Sequence, residues 1–279
     1  MSARTLVLTA MAMLAFAGNS LLCRAALRDS EIDPATFTSL RLLTGALVLW
    51  LLHRLREHPS SSSGSWPGAV ALFVYAAAFS YAYLHIDAGA GALLLFGAVQ
   101  LSMIAWGLFK GERLQRLQAA GLFLAAAGLL TLLLPGSSTP SVSASVLMIV
   151  SGIAWGVYSL LGRGIADPLG ATAGNFIRTL PMTVVLSVAA VSSLRWDASG
   201  VVYAVLSGGL TSGIGYAIWY AALPGLAAVQ AATVQLSVPL LTVLVASLVL
   251  GETITGRLLL AGIAILGGIA LVLRAKQNV

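Results

Sequence analysis

Four side-chain amides lie inside long apolar stretches, where each needs a hydrogen-bonding partner. They are Asn19, Gln100, Asn175 and Gln235, and both glutamines belong to a Val-Gln-Leu-Ser sequence, at 99–102 and at 234–237. An amide without a partner in an apolar medium costs about 2–7 kcal/mol, so each must face protein or water. The amides therefore either join neighbouring helices or bind the polar end of a small solute.

Two arginines raise the same question more sharply. Arg41 and Arg178 lie well inside apolar stretches, at a depth of roughly 10–14 Å in a helix that rises 1.5 Å per residue. A guanidinium there either reaches back toward water and helix ends or binds a carboxylate through its fork of N–H donors.

Aromatic side chains recur at spacings of three or four residues, which places each set on one face of a helix. The pairs are Phe79 with Tyr83, Trp155 with Tyr158, and Tyr216 with Trp219. Such faces are typical of aromatic belts at membrane interfaces. They are equally what a ring-lined cavity for flat side chains requires.

The sequence offers little for catalysis or metal binding. It has one cysteine, Cys23, and three histidines, and no acid lies in the central part of an apolar stretch. Metal sites need clustered ligands, nucleotide hydrolysis needs a phosphate-binding loop that is missing, and proton relays use carboxylates in mid-membrane. We expect no metal, no cofactor and no enzymatic activity, although His85, near the end of the third stretch, could titrate.

The composition indicates that these residues belong to a membrane-spanning chain. The chain is 59% hydrophobic and 9% charged, with a mean hydropathy of +0.96, whereas a water-soluble domain has roughly a quarter of its residues charged. About 20 residues span the bilayer as a helix, and the period-2 alternation of barrel strands is missing. The sequence predicts ten spans, at 5–22, 34–53, 67–86, 88–109, 114–134, 143–162, 169–193, 200–222, 226–250 and 256–274.

An internal repeat relates the two halves. Tyr81-Ala82 and Val-Gln-Leu-Ser recur at a constant offset, and both copies end on a Gly-Glu pair, at 111–112 and 251–252. Self-similarity of this kind indicates a duplicated unit. We predict a first repeat at 1–134, a linker at 135–142 and a second repeat at 143–279.

Orientation follows from the loops and from the repeat. More Lys and Arg residues fall on the side of the N-terminus than on the other side, which favours cytoplasmic termini. The net charge of +6 is explained in the same way, without nucleic-acid binding.

Each repeat has an odd number of spans, so the second is inverted relative to the first, and such repeats supply the two states of alternating access. The fold class is all-α, with ten transmembrane helices in two inverted five-helix repeats around a central cavity.

Three further residues are candidates for gating or structure. Glu112 and Glu252 precede the fifth and tenth predicted helices, where a carboxylate stabilises the helix N-terminus; alternatively they pair with Arg116 or Arg257 as a gate. Pro239 bends its helix or acts as a hinge.

The chain resembles the drug/metabolite transporter superfamily, EamA type, and within it the YddG-like exporters of aromatic amino acids. The resemblance rests on the ten spans, the repeat, the Gly-Glu pairs and Pro239, although Ile104 stands at the counterpart of Pro239. It implies a carrier in the bacterial inner membrane that exports aromatic and other neutral amino acids. The absence of a mid-membrane acid favours a facilitator, and a proton-coupled exporter of drugs or other metabolites is the alternative.

We expect a monomer whose partners are a small solute and the lipid bilayer. The candidate substrate-binding residues are Asn19, Arg41, Phe79, Tyr83, Gln100, Trp155, Tyr158, Asn175, Arg178, Tyr216, Trp219 and Gln235.

Overall fold

The computed structural model describes residues 2–56, 64–111, 115–134, 140–226 and 228–275, and within these ranges the chain is helical without a strand. Glu112 and residues 135–139 of the predicted linker lie outside the described residues. The helices are α1 Ala3–Asp29, α2 Pro34–Arg54, α3 Trp66–Tyr83, α4 Ala88–Phe109, α5 Arg116–Leu133, α6 Val142–Leu161, α7 Pro168–Ala189, α8 Ala198–Val205, α9 Gly215–Ala222, α10 Ala228–Gln235, α11 Ser237–Val249 and α12 Gly256–Ala275.

Eight helices of the described ranges are long and apolar enough to cross a membrane, with 198–225 counted as one. The two expected spans outside this set are α3 and α7. Tyrosines lower the hydropathy of α3, and Asn175 and Arg178 lower that of α7. Tyr75 and Asn175 line the cavity described below, which explains why these two helices are less apolar.

A π-helical segment, Leu206–Ile214, joins α8 to α9 in one continuous rod. π-helical turns are rare and often mark functional sites. The rod crosses α2 so closely that a Cβ at Gly208 would overlap the carbonyl oxygen of Arg41. The sequence predicts this helix but not its π-helical part.

The predicted ninth span is interrupted at Leu236, between α10 and α11. Pro239 explains the interruption: it has no N–H to donate to the carbonyl of Gln235, four residues earlier. In the first half Ile104 takes the equivalent place, and α4 runs unbroken.

Small residues allow the two halves to pack closely. α5 lies against α12, where a Cβ at Gly121 would come within 2.5 Å of the carbonyl oxygen of Gly268. α2 lies against α7, α3 and α4 pack on α6, and α1 packs on α9 and α11. Close approach through glycine and alanine is the usual way in which membrane helices associate.

The helices run between two ends of the molecule, which we call the mouth end and the closed end. At the mouth end, Arg56 after α2 bonds to Asp167 before α7, and Thr5 near the start of α1 contacts Gly225. The closed end holds the last turns of α1, α3 and α11 together with the first turns of α4 and α12. α1 is longer than predicted and carries Arg24 and Arg28 into this end.

Candidate functional site

A cavity of about 670 Å³ lies between the two halves, within the range of about 300–1,000 Å³ typical of small-molecule sites. Helices of both halves line it: α1, α3 and α4 from the first, and α6, α7, α9 and α10 from the second. Gly64, Gly162, Pro168 and Leu223, which belong to helix termini at the mouth end, also line it. The cavity therefore reaches from the middle of the molecule to the mouth end.

Trp155 stands at the centre of the aromatic wall. Its ring centroid lies 4.7 Å from that of Tyr75, 5.3 Å from that of Tyr158 and 5.6 Å from that of Tyr216. Phe16 extends the wall from α1, 5.8 Å from Tyr216. Rings at these distances pack favourably with one another and present flat apolar faces to the cavity.

Hydroxyls and amides interrupt this wall at defined places. The Tyr158 hydroxyl donates to Thr172 at 3.2 Å, and the hydroxyls of Thr172 and Tyr220 lie 2.8 Å apart. The Asn175 side chain accepts from the backbone N–H of Ser65 at 2.7 Å, which ties α7 to the start of α3. The surface thus offers polar contacts to a solute with both apolar and polar ends.

Nine of the twelve predicted substrate-binding residues line this cavity, including both glutamines of the repeat. The nine are Asn19, Phe79, Gln100, Trp155, Tyr158, Asn175, Tyr216, Trp219 and Gln235.

The other three lie elsewhere. Tyr83 is fully buried behind Phe79, with ring centroids 4.7 Å apart, and its hydroxyl is directed to the carbonyl of Ala88. Arg41 is also buried behind the wall. Arg178 does not line the cavity, and its guanidinium donates to the carbonyl of Gly174 in its own helix.

His85 does not belong to the main cavity. It borders a second cavity of about 360 Å³ at the closed end, together with Asp87, Glu252 and Arg257. Its distance from the aromatic wall makes it a poor candidate for direct contact with a solute in this state.

The closed end is held by a hub around Arg24. Its guanidinium donates to the carbonyls of Tyr83 at 2.9 Å and Leu84 at 3.2 Å, and it lies 3.1 Å from the Asp87 carboxylate and 3.4 Å from that of Glu252. Its side chain is only 11% exposed. Charged hydrogen bonds of this kind are worth about 1.5–3 kcal/mol. The contacts with Tyr83, Leu84 and Asp87 stay within the first half, and the contact with Glu252 joins the hub to the second half.

Glu252 acts differently from its prediction. Its carboxylate accepts from the backbone N–H groups of Ala88 and Gly89 at the start of α4, in the other half of the chain. Burial raises the pKa of Glu252 above its ordinary value, despite these bonds and the nearby Arg24. Arg257, the partner expected for a gate, instead donates to the carbonyl of Leu134.

The backbone conformation explains why each Gly-Glu pair contains a glycine. Gly111 has φ of 92° and Gly251 has φ of 65°, the left-handed conformation that commonly ends helices and strongly favours glycine. Each glycine terminates its helix, and at 251 it turns the chain so that the following glutamate reaches α4.

Several residues of the site were missed. Tyr75, four residues before Phe79, continues the stripe on α3 and was detectable by the same helical spacing. Phe16 and Thr172 were less visible, since hydroxyls and single rings are common in membrane helices. Tyr220, four residues after Tyr216, shares the helical spacing of that aromatic face. The role of Arg24 depends on contacts across the repeat, which no local pattern predicts.

Known proteins match along the whole chain. A profile of the EamA-like transporter family matches residues 3–134 and 142–274. An uncharacterized protein of Pseudomonas aeruginosa is 58% identical over 98% of this chain and 96% of its own length, and a protein of Archaeoglobus fulgidus named an uncharacterized transporter is 28% identical over the full length of both. A crystal structure with a TM-score of 0.69 and 21% identity covers 99% of both chains, and so has the same fold. The chain belongs to the EamA-like transporter family.

Proposed function

We propose that this chain is a facilitative exporter of small amphipathic solutes, with aromatic and other neutral amino acids as the leading class. The observation that carries the proposal is the cavity between the halves, in which rings and amides alternate on one surface. The flat apolar group of the solute packs on Trp155 and Tyr216. Asn19, Gln100 and Gln235 form hydrogen bonds with the polar end of the solute. Membership of a transporter family supports movement of the solute rather than its conversion.

The mechanism we propose is alternating access between two inverted repeats of five spans each. In support, α1 starts at the mouth end and its counterpart α6 starts near Pro140, at the closed end. The contacts also occur in related pairs, because α3 packs on α6 as the α8–α9 rod packs on α1. Exchange of the two repeat conformations would close the mouth and open the other end.

The orientation we propose places the mouth end in the cytoplasm of a bacterial inner membrane. The basic residues described at the mouth end are Arg4, Arg54, Arg56, Lys110, Arg116, Arg163 and Arg274, whereas those at the closed end are Arg24, Arg28, Arg195 and Arg257. The excess on one side is the usual mark of the cytoplasmic face. The structure then corresponds to the inward-open state, ready to load a solute for export.

Counterflow into liposomes tests the proposal. Purified protein is reconstituted in vesicles loaded with unlabelled phenylalanine, and uptake of labelled phenylalanine, tryptophan, methionine and a cationic dye is followed with and without a pH gradient. We expect the amino acids to enter without any gradient. Uptake of the dye alone, or uptake that requires protons, would replace the proposal by proton-coupled export of drugs or other metabolites and would return attention to His85.

A further inference from the structure

Arg41 is a buried cation placed directly behind the cavity wall. It is 2% exposed, and its guanidinium lies 5.2 Å from the ring centroid of Tyr75 and 5.0 Å from that of Phe79, both of which line the cavity. Among the described residues it has no carboxylate partner, and its Nε and Nη1 atoms have no hydrogen-bond partner. Within the part of the chain that the structure describes, ring faces and one hydroxyl compensate the charge.

That hydroxyl belongs to Tyr75. Nη2 of Arg41 donates to its oxygen at 2.9 Å, and Nδ2 of Asn19 donates to the same oxygen at 3.3 Å. The amide orientation of Asn19 follows from its own acceptor, because its Oδ1 receives the hydroxyl of Ser207 at 2.8 Å. A phenol oxygen has two acceptor sites and one proton to donate, so both acceptor sites are occupied.

The hydroxyl proton of Tyr75 therefore remains to be donated. None of the described residues accepts it, and Tyr75 lines the cavity. A donor whose oxygen is bonded to a guanidinium is polarised and becomes a stronger donor, since hydrogen bonds in a chain reinforce one another. The group best suited to receive it is an anionic oxygen, with which such bonds are short and strong.

The charge distribution around the cavity also favours an anionic group as the partner of the Tyr75 hydroxyl. The described residues that line it include no aspartate or glutamate, and Arg163 stands at its mouth. With Arg41 behind the wall, the positive potential acts in a low-dielectric interior, where it is weakly screened. An anion is attracted into this cavity and a simple cation is repelled.

We propose that the Tyr75 hydroxyl, positioned by Arg41 and Asn19, binds the carboxylate of the solute, and that the substrates are therefore aromatic carboxylates whether or not they carry an amine. The aryl group packs on Trp155, whose ring centroid lies 4.7 Å from that of Tyr75. An ammonium group, if present, meets ring faces and amides rather than an acid. This inference rests on the proposed function and narrows its substrate class, because aromatic amines without a carboxylate are excluded.

The test compares solutes that share one phenyl group and differ in charge. Wild-type protein catalyses counterflow of labelled phenylalanine, and unlabelled 3-phenylpropanoate, phenylpyruvate, phenylalaninamide and 2-phenylethylamine compete for it. We expect both carboxylates to compete within about threefold of phenylalanine and both cations to be at least about tenfold weaker. Equal competition by 2-phenylethylamine overturns the carboxylate inference and leaves the proposed function standing. If none of the labelled phenylalanine, tryptophan and methionine is taken up, both the inference and the proposed function are overturned.

Variants locate the effect at the proposed group. Tyr75→Phe removes the donor and keeps the ring, so we expect the preference for 3-phenylpropanoate over 2-phenylethylamine to fall about tenfold, while Tyr81→Phe on the same helix, which does not line the cavity, leaves it unchanged. Arg41→Lys keeps the charge and Arg41→Met removes it. If Arg41 positions the Tyr75 hydroxyl, Arg41→Lys keeps part of the preference for 3-phenylpropanoate over 2-phenylethylamine, and Arg41→Met loses it. Equal preference in all four variants overturns the assignment to Tyr75 and Arg41. Competition by chloride or phosphate as strong as that of 3-phenylpropanoate would assign the site to inorganic anions instead.

Discussion

The carboxylate of Glu252 accepts a hydrogen bond at 2.9 Å from the backbone N–H of Ala88, the first residue of α4 in the other half of the chain. The same carboxylate lies 3.4 Å from Nε of Arg24 on α1. One side chain of the second repeat thus caps a helix of the first and faces a cation of the first. If the closed end opens during transport, both contacts must break.

Loss of the Arg24 guanidinium should open the closed end more often. Arg24→Gln removes charged hydrogen bonds worth about 1.5–3 kcal/mol, which corresponds to a population change of roughly 10- to 100-fold. Cys23, the one cysteine in the chain and fully buried next to Arg24, reports the opening. We expect its alkylation by an impermeant maleimide from the outer side to accelerate by about that factor.

Arg195→Gln is the matched control, because Arg195 is 75% exposed and its contact with Glu31 is long. An equal acceleration of Cys23 alkylation in this control would contradict the role of the hub.

Lowering the pH should stabilise the state in which the closed end is shut. The pKa of Glu252 is raised by burial, and opening would return this carboxyl to water and to its ordinary pKa. The closed state therefore binds the proton more tightly, and lowering the pH through the raised pKa stabilises it. Asp87, Arg24, His85 and Arg257 surround the same carboxyl.

The measurement is the rate of Cys23 labelling in wild type divided by the rate in Glu252→Gln. Both proteins carry the same thiol, so the pH dependence of thiol ionisation cancels in this ratio. We expect this ratio to fall as the pH is lowered from about 7 to about 5. His85→Gln should retain the trend. A ratio that rises with acid, or a trend that depends on His85, would show that another group controls this end.

The aromatic wall should contribute binding affinity. Trp155→Ala removes the central ring, and the loss of apolar burial and ring packing, about 2–3 kcal/mol, should raise the half-saturation concentration for phenylalanine roughly 25- to 150-fold. Trp106→Ala deletes a ring that is 46% exposed and lies outside the cavity, and we expect no such change. The experiment is concentration-dependent counterflow, and similar values for the two variants would remove the wall from the site.

The crossing of α2 with the π-helical segment should not tolerate a larger residue. A Cβ at Gly208 overlaps backbone atoms of Arg41, which cannot move aside as a flexible side chain would, so Gly208→Ala should destabilise the fold by about 1–3 kcal/mol. Gly267→Ala in α12 meets no atom within 4 Å and should be neutral or stabilising by up to about 1 kcal/mol. Thermal unfolding in detergent distinguishes them, and equal transition temperatures would contradict this packing.

The fold and most of the cavity wall were predictable, for a physical reason. Spans follow from hydropathy and the repeat from self-similarity, and a buried amide such as Gln100 or Gln235 must face a polar environment wherever the helix lies. The π-helical segment was not predictable from hydropathy; it lies where Ser207 contacts Asn19 of α1 and Gly208 packs on Arg41 of α2.

Charged residues were the hardest to assign. Arg41 and Arg178 have similar sequence surroundings, yet one lies behind Tyr75 and the other bonds to Gly174 of its own helix. The difference depends on which neighbour each helix meets. The same reason applies to the ion pair that was the alternative for Glu252. The nearest arginine in sequence, Arg257, donates to Leu134, and a distant one, Arg24, comes close to Glu252.

Reciprocal labelling at the two ends tests alternating access most directly. Cys23 lies between Ser20-Leu21-Leu22 and Arg24, and Gly162 lies between Ser159-Leu160-Leu161 and Arg163, so the two occupy equivalent places in the repeats. Gly162 lines the cavity toward its mouth, whereas Cys23 is 0% exposed. A Cβ at Gly162 meets only ordinary contacts of 3.5 Å and more, so Gly162→Cys in a Cys23→Ala background should fold. The account predicts fast labelling of Gly162→Cys from the cytoplasmic side and slow labelling of Cys23 from the outside, with Arg24→Gln slowing the first and accelerating the second. Labelling rates that rise together, or that change independently of each other, would contradict it.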